Sequence, residues 1–248
     1  MANPLRTSNP ALSAKTFQGL EAAGEAMTIQ GTVNKAGVLL ICVVATAAWT
    51  WGLFVRGNTL DVVFPLMGIG AIGGFVVALV TIWKKSWAAV TAPIYALLEG
   101  LVLGGLSAVL NARFPGIAIQ AVGLTFGTLV CMLLAYRSGA IKVTERFKLG
   151  VVAATGGIAL LYLATMLLGV FGVRMLYIHD SGPIGIGFSV FVVILAALNL
   201  VLDFDFIESG AREGAPKYME WYAAFGLMVT LIWLYMEILR LLSKLRRR

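Results

Sequence analysis

Seven apolar stretches, separated by short polar breaks, divide the chain from residue 36 almost to its end. An α-helix needs about 20 predominantly apolar residues to cross the hydrocarbon of a bilayer, and each stretch is near that length. The first runs from Ala36 to Val55 and stops at Arg56; the second, Val62 to Trp83, stops at Lys84-Lys85. The third covers Ala88 to Leu110 and closes on Asn111-Ala112-Arg113-Phe114-Pro115, and the fourth covers Gly116 to Tyr136. A charged connection, Arg137 to Lys148, leads to the fifth, Leu149 to Val173. A loop with Arg174, His179 and Asp180 separates it from the sixth, Pro183 to about Phe206. A polar loop with Glu208, Arg212, Glu213 and Lys217 then leads to the seventh, Trp221 to about Leu242.

Barrel strands alternate polar and apolar residues, so these unbroken runs exclude a β-barrel. Lipid offers the backbone no hydrogen-bond partner, which leaves helices as the spanning element. The pattern therefore predicts an all-α, polytopic membrane protein with a bundle of seven transmembrane helices over residues 36–248. The connections are too short for a second soluble domain. Residues 1–35 form a polar, Ser/Thr/Ala-rich segment, expected to be cytoplasmic and partly disordered, and lack the apolar core of a signal peptide.

Composition agrees with the pattern. Hydrophobic residues make up 60% and charged residues 12% of the chain, against about half and a quarter in soluble domains. The net charge of +7 raises the question of nucleic acid, but the basic residues form no aromatic-interleaved stripe or amphipathic helix, and no nucleic-acid partner is expected. They bear instead on orientation, since cytoplasmic loops carry an excess of Lys and Arg. One side holds Arg6, Lys15, Lys35, Lys84, Lys85, Arg137, Lys142, Arg146, Lys148, Arg212 and Lys217; the opposite loops hold Arg56, Arg113 and Arg174. This favours a cytoplasmic N-terminus. The tail Lys244-Leu245-Arg246-Arg247-Arg248 pulls the other way, because seven full crossings place it outside. Either the inner loops overrule the tail or the last segment is re-entrant, and the first reading is preferred.

Several motifs invite a chemistry that the context denies. Gly68-Ile69-Gly70-Ala71-Ile72-Gly73 matches the dinucleotide fingerprint but sits inside a span, without the following acidic residue. Close helix packing explains it, as it does Gly100-x-x-x-Gly104 and Gly123-x-x-x-Gly127. Cys42 and Cys131 show neither metal-ligand spacing nor a disulfide framework and are read as small buried hydrophobes. His179 is the only histidine, and a zinc site needs three or four protein ligands. No Ser–His or paired-Asp catalytic spacing falls within the spans, and no mid-span lysine on the last helix offers a Schiff base, since Lys244 lies beyond its predicted end. The chain is read as a non-enzyme without a resident cofactor.

The informative residues are the acids inside the spans: Glu99, Asp203, Asp205 and Glu237. A carboxylate at membrane depth is costly and faces the bundle interior, water or a partner. Asp205 and Glu237 lie near predicted ends, and Glu237 stands three residues before Arg240, the spacing of a local ion pair. Asp203 shares its helix face with Asn199, one turn earlier, while Asp205 is rotated by about 200° and points elsewhere. Any partner of Asp203 must come from another span, and on the seventh, Thr230 and Glu237 share a face. Such carboxylates switch between neutral and charged forms and, when ionised, ligate hard cations such as calcium.

The run Leu198-Asn199-Leu200-Val201-Leu202-Asp203-Phe204-Asp205-Phe206-Ile207-Glu208, a short polar loop, and then Ala224 to Leu242 resemble the last two spans of the Bax inhibitor-1/YccA family. Leu97-Leu98-Glu99-Gly100-Leu101-x-Leu103-Gly104 is similar to the third-span motif of its bacterial members, and Ala121-Val122-Gly123-Leu124-Thr125-Phe126 to the fourth span. The resemblance implies a seven-helix fold with the last helix central, a bacterial inner-membrane location and a pH-sensitive calcium leak. It also implies a gate in which a carboxylate on the sixth helix pairs with one on the seventh. Asp203 matches the first position and Arg240 aligns with the family's arginine, but Thr230 stands where the second Asp belongs. A hydroxyl donates to a carboxylate but cannot share a proton with it as a second acid does. Glu237 or Glu99 would have to supply the missing acid from another height.

Two functions follow. The leading one is a cation leak channel or exchanger with Asp203 as gating carboxylate and transient calcium ligand. The alternative is a regulator in the bilayer that binds a membrane protease or another membrane complex through its N-terminal segment. Deleting the residues before Thr28 should cost the regulator its partner and leave the channel its flux.

Overall fold

A computed structural model describes residues 25–57, 60–171 and 182–247. The loop residues Arg174, His179 and Asp180 lie outside them, as do residues 1–24 and Arg248. Seven long helices fill the described chain: α1 (Ile29–Val55), α2 (Leu60–Trp83), α3 (Ala88–Arg113), α4 (Ile117–Arg137), α5 (Glu145–Val170), α6 (Pro183–Arg212) and α7 (Met219–Leu245). Each is long and apolar enough to cross a membrane. A single 3-10 turn, Lys85–Trp87, joins α2 to α3.

Helix ends follow from capping, not from hydropathy, so several helices outrun the apolar stretches that announce them. Thr28 caps α1, its Oγ1 accepting the Gly31 N–H at 2.9 Å, and draws residues 29–35 into the helix. Thr144 caps α5 in the same way through Phe147. Helix α6 continues past Phe206 to Arg212, where Arg212 reaches back to Glu208 four residues earlier at 3.1 Å. Gly116 has a φ of 81°, a backbone setting that favours glycine, and this turns the chain from α3 into α4.

Helix α7 sits in the middle and touches α1, α3, α4 and α6. Over its most apolar window 56% of residues are buried, against 11% for α5. Every other helix turns large apolar side chains outward, for example Ile41, Ile72, Val90, Leu134, Leu160 and Ile194, whereas α7 does so only at its last residue, Leu245. In a bilayer those outward side chains meet acyl chains, so their exposure carries no hydrophobic penalty. Around α7, Tyr95 of α3 meets Phe225 edge to face at 5.0 Å, and the Ser107 and Tyr235 hydroxyls share a hydrogen bond at 2.6 Å. Helix α2 packs mainly on α3, and α5 on α6 through Val151, Ile158, Val192, Leu195 and Leu202.

The glycine motifs divide. A Cβ at Gly104 would lie 2.7 Å from the Ala47 Cα, and one at Gly100 would collide with Thr46 and the Val43 carbonyl, so this pair brings α3 onto α1. A Cβ at Gly70 would lie 2.5 Å from the Leu98 carbonyl, which brings α2 onto α3. Gly123, Gly127 and Gly68 have open space where a Cβ would go, correcting the expectation that they mediate packing. The first two lie on the outward face of α4. Cys131 is likewise exposed on α4 and not buried, while Cys42 is partly buried.

The two ends of the described chain lie at opposite ends of the bundle. The Met27 N–H donates to the Ala215 carbonyl at 2.6 Å, and Ala26 pairs with Pro216, so the start of α1 is fastened to the α6–α7 turn. At the other end Arg246 donates to the Pro115 carbonyl at 2.6 Å and Lys244 to the Gly185 carbonyl at 2.9 Å. The tail therefore meets the α3–α4 turn and the start of α6, on the face opposite the N-terminus. Helix α7 thus runs from one end of the bundle to the other.

Candidate functional site

Helix α6 is unbroken through Asp203, which holds Asn199 and Asp203 on one face and sends Asp205 to another. Asp203 is 1% exposed. Neither of its carboxylate oxygens has a hydrogen-bond partner. The polar group set against it is the hydroxyl of Thr230 on α7, itself buried. That hydroxyl turns toward the Gly226 carbonyl of its own helix at 3.4 Å. One turn before Asp203, the Asn199 Nδ2 donates to the Leu195 carbonyl and to Thr155 Oγ1 of α5, both at 2.9 Å. Folding thus places a carboxylate in the protein core with its lone pairs unused. A cation or a proton arriving there would find an acceptor whose neighbouring donor is the Thr230 hydroxyl.

Of the other predicted residues, Glu237 and Arg240 are brought together, but with each other. Arg240 Nη1 lies 2.9 Å from Glu237 Oε1 and 3.1 Å from Oε2. Tyr162 of α5 closes the cluster, donating to Glu237 Oε1 at 3.0 Å and accepting from Arg240 Nη1 at 2.6 Å. Glu237 is engaged there and does not supply a second acid to Asp203. Asp205 pairs with Lys148 of α5 at 2.9 Å, and Lys148 also lies 3.5 Å from Glu145. Glu99 stands against α2, where a Cβ on Gly74 would come within 2.9 Å of its Oε1. The six candidates resolve into one pair around Asp203 and Thr230, one around Glu237 and Arg240, and two separate acids. Among the described residues no three His, Cys, Asp or Glu side chains gather as a metal site.

Sequence reasoning missed Tyr222. Its hydroxyl is buried and has no hydrogen-bond partner, like Asp203. Tyr222, Gly226 and Thr230 follow at four-residue steps along one stripe of α7, a spacing that was available in the sequence. The ring of Tyr222 also lies 5.9 Å under the Lys85 ammonium.

Glu220 was missed as well. It is buried at the N-terminal side of the bundle, accepts from Thr28 N and Thr28 Oγ1 at 2.9 Å each, and pairs with Lys35 of α1. Gly31 faces it, and a Cβ there would collide with the carboxylate. Outside the membrane, Lys217 bridges Glu25 at 3.3 Å and Glu220 at 3.5 Å, and the hydrogen bond to Glu25 raises its ammonium above the ordinary lysine range. Lys35→Met is expected to lower stability by about 1–3 kcal/mol, the cost of leaving a buried charged acceptor short of a donor. That loss should shrink in a Glu220→Gln background. Thermal unfolding of the four proteins in detergent measures the coupling, and strictly additive effects would show that the pair contributes nothing.

Compared with known proteins, residues 9–247 match a family model described as Bax inhibitor 1 like. No curated protein and no solved structure matches the chain.

Proposed function

The chain belongs to the Bax inhibitor 1 like family, and from that premise we propose that it carries a pH-sensitive leak or exchange of cations, calcium foremost, with Asp203 as the gate. One observation supports this above the rest: a carboxylate in the core of a membrane bundle with both oxygens unpartnered. Neutral, Asp203 is compatible with a closed, dry core; charged, it repels its apolar surroundings and offers two oxygens to a hard cation. Thr230 orients that switch without sharing its proton. Glu99, Asp205 and the Glu237–Arg240 pair would bias the passage of cations electrostatically and not bind them at Asp203. We place the protein in a bacterial inner membrane on its resemblance to the family's bacterial members, and its N-terminus in the cytoplasm on the distribution of its basic residues.

The test is calcium flux into liposomes loaded with an indicator dye, across a series of pH values. The native chain should exceed empty liposomes and vary with pH; Asp203→Asn, which fixes the uncharged form, should flatten that variation. Flux no greater than that of empty vesicles at every pH would sink the proposal. The truncation that separates a channel from a regulator must end at residue 24. Met27 is buried and bonded to Ala215, so cutting up to Thr28 would damage the fold itself. Removing residues 1–24 should leave the flux intact.

A further inference from the structure

Helices α1 and α4 both pack on α3 and α7 but hardly on each other, and a crevice of about 490 Å³ remains between them. Its walls are apolar: Val44 and Ala47 of α1, Val122 and Phe126 of α4, with Met228 and Leu231 of α7 at the back. The three hydroxyls in its lining are satisfied within the protein, Ser107 and Tyr235 by each other and Thr125 by the Ala121 carbonyl of its own helix at 2.8 Å. Ile119 and Val122 are exposed along its rim, so it opens sideways, toward lipid.

The direction of the crevice identifies its occupant. On α1 it extends from Leu40 to Trp51, a length of about 16 Å at 1.5 Å per residue. That is about half of a 30 Å hydrocarbon core, the depth of one leaflet. The deep end is marked by Leu40, Phe126 and Met228, and the shallow end by Trp51, Ala118 and Tyr235. The shallow end lies beside the α3–α4 turn, where positive charge collects. Arg246 is exposed and donates to two neutral oxygens, the Pro115 carbonyl and Gln120 Oε1 at 2.9 Å, the latter adjoining Ile119 of the rim. An arginine has five N–H donors, so others remain. Arg113 and Arg247 are exposed nearby in the chain.

We propose that this crevice binds an anionic phospholipid, one acyl chain lying between α1 and α4 and the phosphate resting on Arg246 and Arg113. An apolar slot one leaflet deep fits a lipid tail, and a basic rim at its shallow end fits an anionic headgroup. A helix from a partner would span the whole membrane and not stop halfway.

The full chain, purified in detergent, is mixed with equal amounts of phosphatidylglycerol and phosphatidylcholine carrying the same acyl chains, and retained lipid is read by native mass spectrometry. The native chain should keep phosphatidylglycerol several-fold over phosphatidylcholine. Val122→Trp, which fills the slot from an exposed position, should lower retention of both lipids about tenfold. Arg113→Gln with Arg246→Gln should keep retention but lose the preference. Leu160→Trp on the outer face of α5 should change nothing. A brominated acyl chain should also quench the native protein more than Trp51→Phe, a readout that needs no filled slot. Equal retention of the two lipids by the native chain, retention unmoved by Val122→Trp, or quenching unmoved by Trp51→Phe would each overturn the proposal. So would a disulfide-linked dimer formed efficiently through Ile119→Cys, because a second copy would then occupy the slot.

Discussion

Asp203→Leu is expected to make the protein more stable and its cation flux insensitive to pH. Burial without a hydrogen-bond partner costs a polar group about 1–3 kcal/mol, and both oxygens of Asp203 stand in that condition. Leucine has a similar volume and no polar atom to satisfy, and its neighbour Thr230 already has an acceptor in the Gly226 carbonyl. Removing the carboxylate should therefore raise the melting temperature in detergent by several degrees, with Asn giving a smaller gain. The same change deletes the only unpartnered carboxylate among the buried groups described, and with it the proposed gate. A site that weakens the fold in this way is expected where function and stability compete. A clear fall in melting temperature for Asp203→Leu would mean that the carboxylate has a partner in the membrane that supports the fold.

Gly104→Val is expected to prevent assembly of the bundle, while Gly123→Val should be harmless. Around Gly104 the obstacle is the backbone of Ala47, 2.7 Å from a Cβ at its Cα, which cannot swing aside as a side-chain end does. Overpacking typically costs about 1–3 kcal/mol, and a backbone collision at the main α1–α3 contact belongs at or above the top of that range. At Gly123 a Cβ meets open space, and a valine there would face lipid. The comparison is read from the yield of monodisperse protein and from thermal unfolding, and two variants of equal yield would refute it.

These two glycines also show what the sequence could and could not convey. Gly100-x-x-x-Gly104 and Gly123-x-x-x-Gly127 are the same pattern, yet one lies in a helix contact and the other on the outside. Spacing shows that a face is small; it does not show what lies opposite. The seven spans were legible because lipid forces an unbroken apolar helix at every crossing. Their ends were less so, since Thr28 and the Arg212–Glu208 pair extend α1 and α6 through polar residues that hydropathy treats as loop. Asp203 stood out because a carboxylate at that depth is rare. The fates of Glu237 and Asp205 diverged: the local pairing with Arg240 was readable three residues away, but Lys148 lies on another helix. The central place of α7 followed from resemblance and not from composition, because burial among helices and burial in lipid select similar side chains.

The fastening of α1 to α7 has a consequence for how the molecule is made. Thr28 and Lys35 leave the ribosome early, while the carboxylate they hold, Glu220, lies 192 residues beyond Thr28. At about 5–20 residues per second, α1 waits about 10–40 s in the membrane for that contact. During the wait its one extensive partner is α3, joined through Gly100 and Gly104. Until then α1 to α3 hold together through their own contacts, Gly100 and Gly104 against α1 and the Thr81–Thr91 hydrogen bond between α2 and α3, and the last helix then adds the polar fastening of the first.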